Sequence, residues 1–224
     1  MKKVLITLLI ICLFLSGCKK DEEEPNNTVP DISEEEKIVN NLSSSDLGTV
    51  VGDFSNRFTL IKVTNKNDKD LYLDVKLTYY NNESVTDEDD VYVYVGAGKS
   101  VYAVSRMYAE DPVFTRYTYK VDLIETIEGY SDIINNITVS NQRSSKDITV
   151  TIGNNGSRTT TARALIFYYK DNKIVSVDES VQYNLMPTSI KSETLELPHK
   201  TINSFIPFDS ADVFINEVSI RLWG

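Results

Sequence analysis

The sequence predicts an all-β protein made of two tandem β-sandwiches, and three observations lead to this prediction. Short runs of Val, Ile, Tyr, Thr and Leu alternate with polar residues, and clusters of Asn, Asp and Gly separate the runs. No long helical periodicity appears after residue 50. The chain also resembles itself when it is shifted by 89 positions.

The first segment predicts an export signal followed by a lipid anchor. Two lysines precede an apolar run at residues 4–15, which is shorter than the roughly 20 residues that a membrane-spanning helix needs. The run leads into Leu15, Ser16, Gly17 and Cys18. This tetrapeptide resembles the lipobox of bacterial lipoproteins, which implies cleavage before the cysteine and acylation of its thiol. An ordinary signal peptide with a chance cysteine is the alternative.

Cleavage before Cys18 would leave a mature chain of 207 residues out of 224. Removal of the two signal-peptide lysines takes the formal net charge from −10 to −12, a balance that disfavours nucleic acid as a partner. Cys12 leaves with the signal, so no free thiol remains for a disulfide, a metal or a nucleophile. Acyl chains would then hold the protein on the membrane without a spanning helix.

Residues 18–45 are predicted to be an acidic tether with a short helix, which Ser33 and Glu36 open as a capping box. Two lysines and then four acidic residues follow Cys18 directly. This composition resembles the surface-export signal of Bacteroidota lipoproteins, and a charged spacer is the alternative. The resemblance favours a surface-exposed outer-membrane location over the outer face of a Gram-positive plasma membrane.

Eight segments carry the strand pattern, in two groups of four. They are residues 57–65, 70–80, 90–95 and 117–124, then 147–152, 161–169, 174–185 and 212–223. The 89-residue shift lays residues 48–102 on 137–191 without a gap and gives nine identities, including Asn65 with Asn154. Each unit is then close to the ~100-residue size of an immunoglobulin-like sandwich.

The predicted organisation is a signal peptide at 1–17, the tether and helix at 18–45, and sandwiches at 46–128 and 134–224. The boundary falls where residues 125–135 interrupt the alternation. One larger sandwich or barrel, with a coincidental repeat, is the alternative architecture.

A family resemblance follows from the second unit. An Asn-rich turn at Gly153 precedes the strand 165–175, and the later segment 183–187 leads to another strand at 192–195. This order is similar to the FxLYD-type sandwich domains of bacterial lipoproteins. Lys173 stands where the family has glycine, and the name-giving motif is not present literally. Such domains mostly have no assigned activity, so the resemblance implies a fold and not a reaction.

No catalytic residue and no cofactor are predicted, and the protein is interpreted as a non-enzyme. His199 is the single histidine and lies in a predicted loop, where surface histidines are ordinary. The chain has no nucleophile elbow, no zinc-protease motif and no phosphate loop. The acidic run 87–90 is expected on a loop, which does not set two carboxyls across a sugar cleft.

Two oxygen-rich segments, 65–70 and 87–90, are expected on turns, where their side chains could supply oxygen ligands for calcium. Neither matches a calcium-loop spacing, since Lys69 occupies a ligand position. Turn formation and surface solubility are the preferred explanation, so no metal site is predicted.

Tyrosine is abundant, with 13 among 224 residues. Because adjacent strand residues point to opposite faces, one member of each pair, Tyr79-Tyr80 and Tyr168-Tyr169, is expected to be exposed. Two functions remain: an envelope lipoprotein that binds a protein partner, and a surface lipoprotein that binds glycans through exposed tyrosines. The sequence alone does not identify ligand-binding residues.

Overall fold

The computed structural model describes residues 32–52, 55–201 and 204–220. It confirms the all-β class and the arrangement of antiparallel sheets in two sandwiches. The described residues from Glu34 onward form one compact unit. The signal peptide and the lipobox residues Leu15 to Cys18 lie outside the described residues. Among the described residues, no helix is both long enough and apolar enough to cross a membrane.

The elements follow in chain order. The first half contains α1 (Glu34–Asn40), β1 (Leu42–Val51), β2 (Arg57–Asn65), β3 (Asp70–Asn81), β4 (Ser84–Val95), β5 (Ser100–Met107) and β6 (Arg116–Ile127). The second half contains α2 (Tyr130–Ile134), β7 (Ile137–Arg143), β8 (Asp147–Asn154), β9 (Thr160–Lys170), β10 (Lys173–Leu185), β11 (Ile190–Glu196), β12 (His199–Thr201), β13 (Ser204–Phe205) and β14 (Ser210–Ile220).

The first sandwich pairs the sheet β1-β2-β5 with the sheet β4-β3-β6. Alternate residues of β2 and β3 point inward and form its core. That core contains Ile61, Val63, Leu71, Leu73, Val75, Leu77 and Tyr79, all at most 1% exposed. Ile38 of α1 is also buried in this core, so the predicted short helix packs on the first sandwich.

The second sandwich repeats this topology with β7-β8-β11 and β10-β9-β14. Its core contains Ile148, Val150, Ile152, Ala162, Ala164, Ile166 and Tyr168, none of them measurably exposed. The β12–β13 hairpin precedes β14 and lengthens the last connection relative to the first sandwich. Each sandwich therefore uses six principal strands in the same order.

The hairpins β3–β4 and β9–β10 share an irregularity at the same place in the repeat. Thr86 is an extra residue opposite the Tyr79-Tyr80 pair, and Val175 is the extra residue opposite Tyr168-Tyr169. These two positions are 89 residues apart, so the predicted shift is correct for both hairpins. A β-bulge of this kind bends and twists its strand.

The shift is wrong for the first strand of each sandwich. Asn65 lies opposite Leu42, whereas Asn154 lies opposite Ile137. The corresponding first-strand positions are therefore 95 residues apart, and the pairings of Thr49 with Thr138 and of Val50 with Val139 do not hold. The connection between the first two strands is shorter in the second sandwich, and a gap-free alignment cannot accommodate that difference.

A buried asparagine closes one end of each sandwich. The Asn154 amide donates to the carbonyl oxygens of Arg158 and Leu185, each at 2.8 Å, and its Oδ1 accepts the N–H of Gly156. Asn65 makes the same kinds of bonds in the first sandwich, to Lys69 at 2.7 Å and to the end of β4. Each side chain thus satisfies partly buried backbone groups of a turn and a buried carbonyl at a strand end.

The two sandwiches pack face to face through an apolar layer. Phe58 and Leu60 lie on the outer face of β2, and Leu165 and Phe167 lie on the outer face of β9. Tyr102 of β5 packs edge-on against Phe167, with ring centroids 4.7 Å apart. Strands β2 and β9 are consequently buried on both faces, which explains their continuous apolar stretches.

One polar contact crosses this layer. Asn216 is 7% exposed and lies at a bulge of β14. Its Oδ1 accepts the N–H of Tyr102 at 2.8 Å, and its Nδ2 donates to the Tyr102 carbonyl at 2.9 Å. The side-chain amide therefore pairs with the backbone of β5 as a neighbouring strand would.

The connection between the sandwiches is fixed to both of them. The Asp70 carboxylate accepts the N–H groups of Ser131 and Ala97, each at 2.8 Å. Burial alone would raise the pKa of Asp70, but these bonds and the Ser131 hydroxyl lower it overall. Tyr130 is buried in the second core, and its hydroxyl accepts the N–H of Val218. Of two neighbouring residues of α2, Ser131 therefore bonds the first sandwich and Tyr130 packs in the second.

Replacement of Asn154 by alanine should destabilise the protein by on the order of 3 kcal/mol, because one buried and two partly buried backbone groups lose their partners. The loss is measured by urea denaturation followed by far-UV circular dichroism. Asn155→Ala is the matched control, since that neighbouring side chain is exposed. A similar loss in both variants would contradict the role of the buried amide.

Replacement of Asn216 by alanine should cost about 1–3 kcal/mol, because the N–H and C=O of Tyr102 lose a buried partner. Ser219→Ala on the same strand is exposed and should change stability by less than about 0.5 kcal/mol. Thermal unfolding of both variants tests this contact. An unchanged midpoint for Asn216→Ala would show that the contact is dispensable.

Candidate functional site

The single histidine, expected in a surface loop, lies instead in a strand with a mostly buried side chain. His199 begins β12, and its ring packs against Phe205 with centroids 4.3 Å apart. Its Nε2 lies 3.6 Å from the Glu196 carboxylate, and its side chain is 14% exposed. These contacts account for its position as part of the β12–β13 hairpin.

The acidic run 87–90 was expected on a turn, and this expectation is wrong. The run lies inside β4, so successive side chains point to opposite faces of the sheet. Asp89 accepts a hydrogen bond from Ser105 at 2.6 Å, and Ser105 in turn accepts one from Tyr79. The four carboxylates cannot converge on one ion from this strand, and among the described residues no cluster of metal-ligating side chains occurs.

Three residues of the segment 65–70 make contacts within the fold. Asn65 Oδ1 accepts the N–H of Asn67, Asp70 accepts from the connection, and Lys69 is paired with Glu34. This arrangement agrees with the preferred explanation that the segment forms a turn.

The tyrosine pairs behave as predicted in one respect only. Tyr79 and Tyr168 are completely buried, and Tyr80 and Tyr169 point the other way. Neither of the latter two is exposed, however. The Arg116 guanidinium lies 3.8 Å from the ring centre of Tyr80, and Tyr169 packs on the layer between the sandwiches. The prediction of one exposed tyrosine per pair is therefore wrong.

A different set of tyrosines is grouped with carboxylates where the sandwiches meet. On the outer face of β4-β3-β6, Tyr72 lies opposite Tyr94 and Glu125, and the next row places Asp74 between Tyr92 and Asp122. We call this set the junction patch: Tyr72, Tyr92, Tyr94, Asp74, Asp122 and Glu125.

The tyrosines of the junction patch have defined geometry. Tyr72 and Tyr94 are stacked with centroids 4.4 Å apart and planes 14° from parallel. Tyr92 is tilted against Tyr72 at 6.0 Å and is 51% exposed. Tyr94 also contacts Tyr130 of α2, at 5.5 Å. The stack therefore extends from the first sandwich to the connection, with Tyr92 as its exposed ring.

Burial and neighbouring carboxylates shape the electrostatics of the junction patch. Burial raises the pKa of the Tyr94 phenol, and Tyr72, Glu217 and Glu125 raise it further. Burial also raises the pKa of Asp74, and the Asp90 carboxylate adds to this effect against the opposing Lys76 ammonium. Asp74 is only 7% exposed, and its Oδ1 has no hydrogen-bond partner among the described residues.

A cleft of about 210 Å³ adjoins the junction patch at Tyr92. The first sandwich contributes Phe58, Tyr102 and Arg106 to the cleft, and the second contributes charged residues. Arg163 lies 3.8 Å from the carboxylates of both Glu179 and Glu217. Burial raises the pKa of Glu217, against the effect of Arg163. Aromatic rings of the first sandwich, carboxylates of the second and one arginine from each thus border one recess.

This arrangement favours binding of cationic groups. Tyrosine faces attract ammonium and guanidinium groups, and carboxylates accept their hydrogen bonds. One signal for the patch was visible in the sequence, namely the alternating tyrosines of β4. The partner position of Asp74 was not, because strand register is needed to place it beside Tyr92.

Comparisons with known proteins identify no family for this chain. No family model and no curated protein matches the chain. Among solved structures, a red sea bream transglutaminase is 13% identical with a TM-score of 0.25, over 78% of this chain and 29% of that chain. A chaperone–tip adhesin complex of CFA/I fimbriae biogenesis is 13% identical with a TM-score of 0.23, over 81% and 98%. This chain spans less than a third of the transglutaminase.

Replacement of Asp74 by asparagine should stabilise the protein at pH 7, because it removes a buried charge beside Asp90. The raised pKa means that the folded state holds more protons than the unfolded chain just above the ordinary aspartate pKa. The stability gained by the variant should therefore shrink as pH falls, and vanish near about pH 3, below that ordinary value of about 3.9.

Urea denaturation at several pH values measures this effect. Asp171→Asn, on an exposed turn of the second sandwich, is the matched control and should change stability little. A loss of stability at pH 7 in Asp74→Asn would contradict the inference that the ionised Asp74 carboxylate destabilises the fold.

Proposed function

We propose that this protein is a non-enzymatic, lipid-anchored envelope module that binds a protein partner. The anchor is Cys18, within the lipobox residues Leu15, Ser16 and Gly17, and it places the sandwiches outside the cytoplasm. A surface-exposed outer-membrane location remains the favoured form of this proposal. The likeness of the second sandwich to FxLYD-type lipoprotein domains belongs to the same proposal.

The observation that carries the binding role is the difference between two corresponding faces. The outer face of β10-β9-β14 holds Leu165 and Phe167 and packs against the first sandwich. The corresponding residues of β3 are Lys76, which is exposed, and Thr78, which is half-buried. The same sheet position thus contacts another sandwich in one unit and remains open in the other, where the junction patch lies.

Glycan binding receives less support from the tyrosine geometry. A sugar platform needs ring faces open to solvent, and the Tyr72 and Tyr94 faces are stacked on each other. Tyr92 is the remaining exposed ring of the patch. Carboxylates beside it would accept sugar hydroxyls, so glycan binding is retained as an outcome of the test and not as the conclusion.

The test is a capture experiment with the full chain in neutral detergent. Immobilised protein is incubated with envelope extract, and bound proteins are identified by mass spectrometry, while the same preparation is applied to a glycan array. Recovery of a specific protein, absent from a column carrying the variant Tyr92→Ala, supports the proposal. Binding to glycans with no captured protein would replace it, and binding to neither would refute both functions.

Replacement of Cys18 by serine should release the protein from membranes, because a buried methylene contributes about 0.8 kcal/mol and the acyl chains supply the attachment. Fractionation of cells into membrane and soluble fractions measures the release. Replacement of Cys12 by serine is the control and should leave the protein on the membrane. Membrane retention of the Cys18 variant would refute the anchor.

A further inference from the structure

We propose that the junction patch docks a basic polypeptide segment, with a lysine or arginine side chain lying against Tyr92 among carboxylates of the patch and the adjoining cleft. This inference rests on the proposed function and names the chemistry of the partner. It is argued from the aromatic geometry, the placement of the acidic groups, and the contrast with the second sandwich.

The aromatic part of the patch suits a cation. Tyr92 is half exposed, and its ring is supported from one side by Tyr72, 6.0 Å away. Tyr72 is itself held by the Tyr94 stack, so the exposed ring has a fixed orientation. A guanidinium or ammonium over a tyrosine face gains ~0.5–1 kcal/mol at an exposed site. Arg116 over Tyr80 shows such a contact within this same sheet face.

The acidic groups surround that ring unevenly. Asp74 and Asp122 are paired with Lys76 and Lys120, at 3.5 Å and 2.6 Å, and these lysines lie on one side of the tyrosines. On the other side, Glu125 is exposed and lies opposite Tyr72. Glu217 extends the acidic groups onto the second sandwich. Glu217 lies 3.8 Å from Arg163, so Glu125 is the exposed acidic group of the junction that has no ion pair among the described residues.

Asp74 supplies an independent indication that the patch suits a cation. It is more than nine-tenths buried, and its Oδ1 has no hydrogen-bond partner in the part of the chain that the structure describes. Buried carboxylate oxygens are normally paired. The Lys76 ammonium reaches only Oδ2. A cation bound beside Tyr92, which lies directly opposite Asp74, would offset the charge of this carboxylate.

The net charge excludes several other occupants. At −10 for the whole chain, a second copy, a nucleic acid or an anionic membrane would be repelled from an acidic face. An extended basic segment is attracted to it. Successive side chains of such a segment that face one way are about 6.6–6.8 Å apart, which matches the two-residue spacing of the rows containing Tyr72 and Asp74.

The second sandwich shows that this chemistry is not a general feature of the repeat. At the positions corresponding to Tyr72, Asp74 and Tyr92 it has Thr161, Arg163 and Val181. Its own exposed tyrosine, Tyr183, is 65% exposed and lies beside Lys191, whose ammonium bonds the Tyr183 carbonyl. Tyr183 therefore offers a control tyrosine without the acidic surroundings.

The experiment titrates the full chain, in neutral detergent, against a fluorescein-labelled oligo-arginine peptide and follows fluorescence anisotropy. The patch variant is Tyr92→Ala/Glu125→Gln, and the control variant is Tyr183→Ala/Asp171→Asn. Each removes one exposed tyrosine and one exposed negative charge, so their net charges are equal. The patch variant should bind about tenfold more weakly and the control within about twofold of the native chain.

Equal weakening in both variants would show attraction by net charge alone and would overturn the inference. So would binding of a neutral oligosaccharide, but not of oligo-arginine, at the patch. Asp74→Asn gives a second readout, since it should weaken peptide binding while it stabilises the fold. Stabilisation with unchanged binding of the peptide would also overturn the inference, and circular dichroism of each variant checks that it is folded.

The capture experiment separates this inference from the proposed function. A protein retained equally by the native chain and by the Tyr92→Ala/Glu125→Gln variant would leave the proposed function standing and would overturn the patch as its site. Capture of no protein by any form would refute the proposed function, whereas the peptide titration is judged on the matched variants alone.

Discussion

The face-to-face packing of the two sandwiches is the constraint on which the rest of the structure depends. The layer around Leu60, Leu165 and Phe167 buries the outer faces of two sheets, so β2 and β9 have no solvent-facing side over much of their length. Apolar burial of this kind contributes roughly 25 cal/mol per Å². Because the layer fixes one sandwich on the other, residues of both can border a single cleft beside Tyr92.

The repeat explains how two similar units acquire different surfaces. Phe58, Leu60 and Val104 face the layer from the first sandwich, whereas the corresponding outer positions on β8 and β11 carry Asp147, Thr149 and Thr194. Thr149 and Thr194 bond each other across the strands at 2.9 Å. The outer face of β7-β8-β11 is therefore polar, whereas the outer face of β4-β3-β6 carries the junction patch.

The sequence predicted strands correctly where a residue pattern occurs in the structural environment that it usually indicates. Strand β2 was predicted at its observed limits because its alternation is bounded by turn residues on both sides. Strand β1 was missed, since its run of serines before Asp46 is typical of a turn but pairs with β2. The acidic run was assigned to a loop for the same reason. Charges are common on edge strands, and β4 is an edge strand of its sheet.

Features that depend on the relation between the sandwiches could not be predicted from periodicity. Alternation places Tyr169 on an outer face, but only the packed structure covers that face with the other sandwich. Asn216 has no local signal, because its partner is the backbone of Tyr102, 114 residues away. The pairing of Asp74 with Tyr92 likewise required strand register. The sequence thus showed the types of residue that form the candidate site, but it did not show that they lie together.

The apolar layer also has a consequence for the order in which the chain folds. Synthesis proceeds from the N-terminus and domains generally fold as units, so the first sandwich can be complete while β9 is still unavailable. Phe58, Leu60 and Tyr102 would then be open to water and to other nascent chains. A chaperone that shields this surface during that interval would bind residues that are buried between the sandwiches in the folded protein. Truncated forms that end near α2 would retain that face permanently and should aggregate.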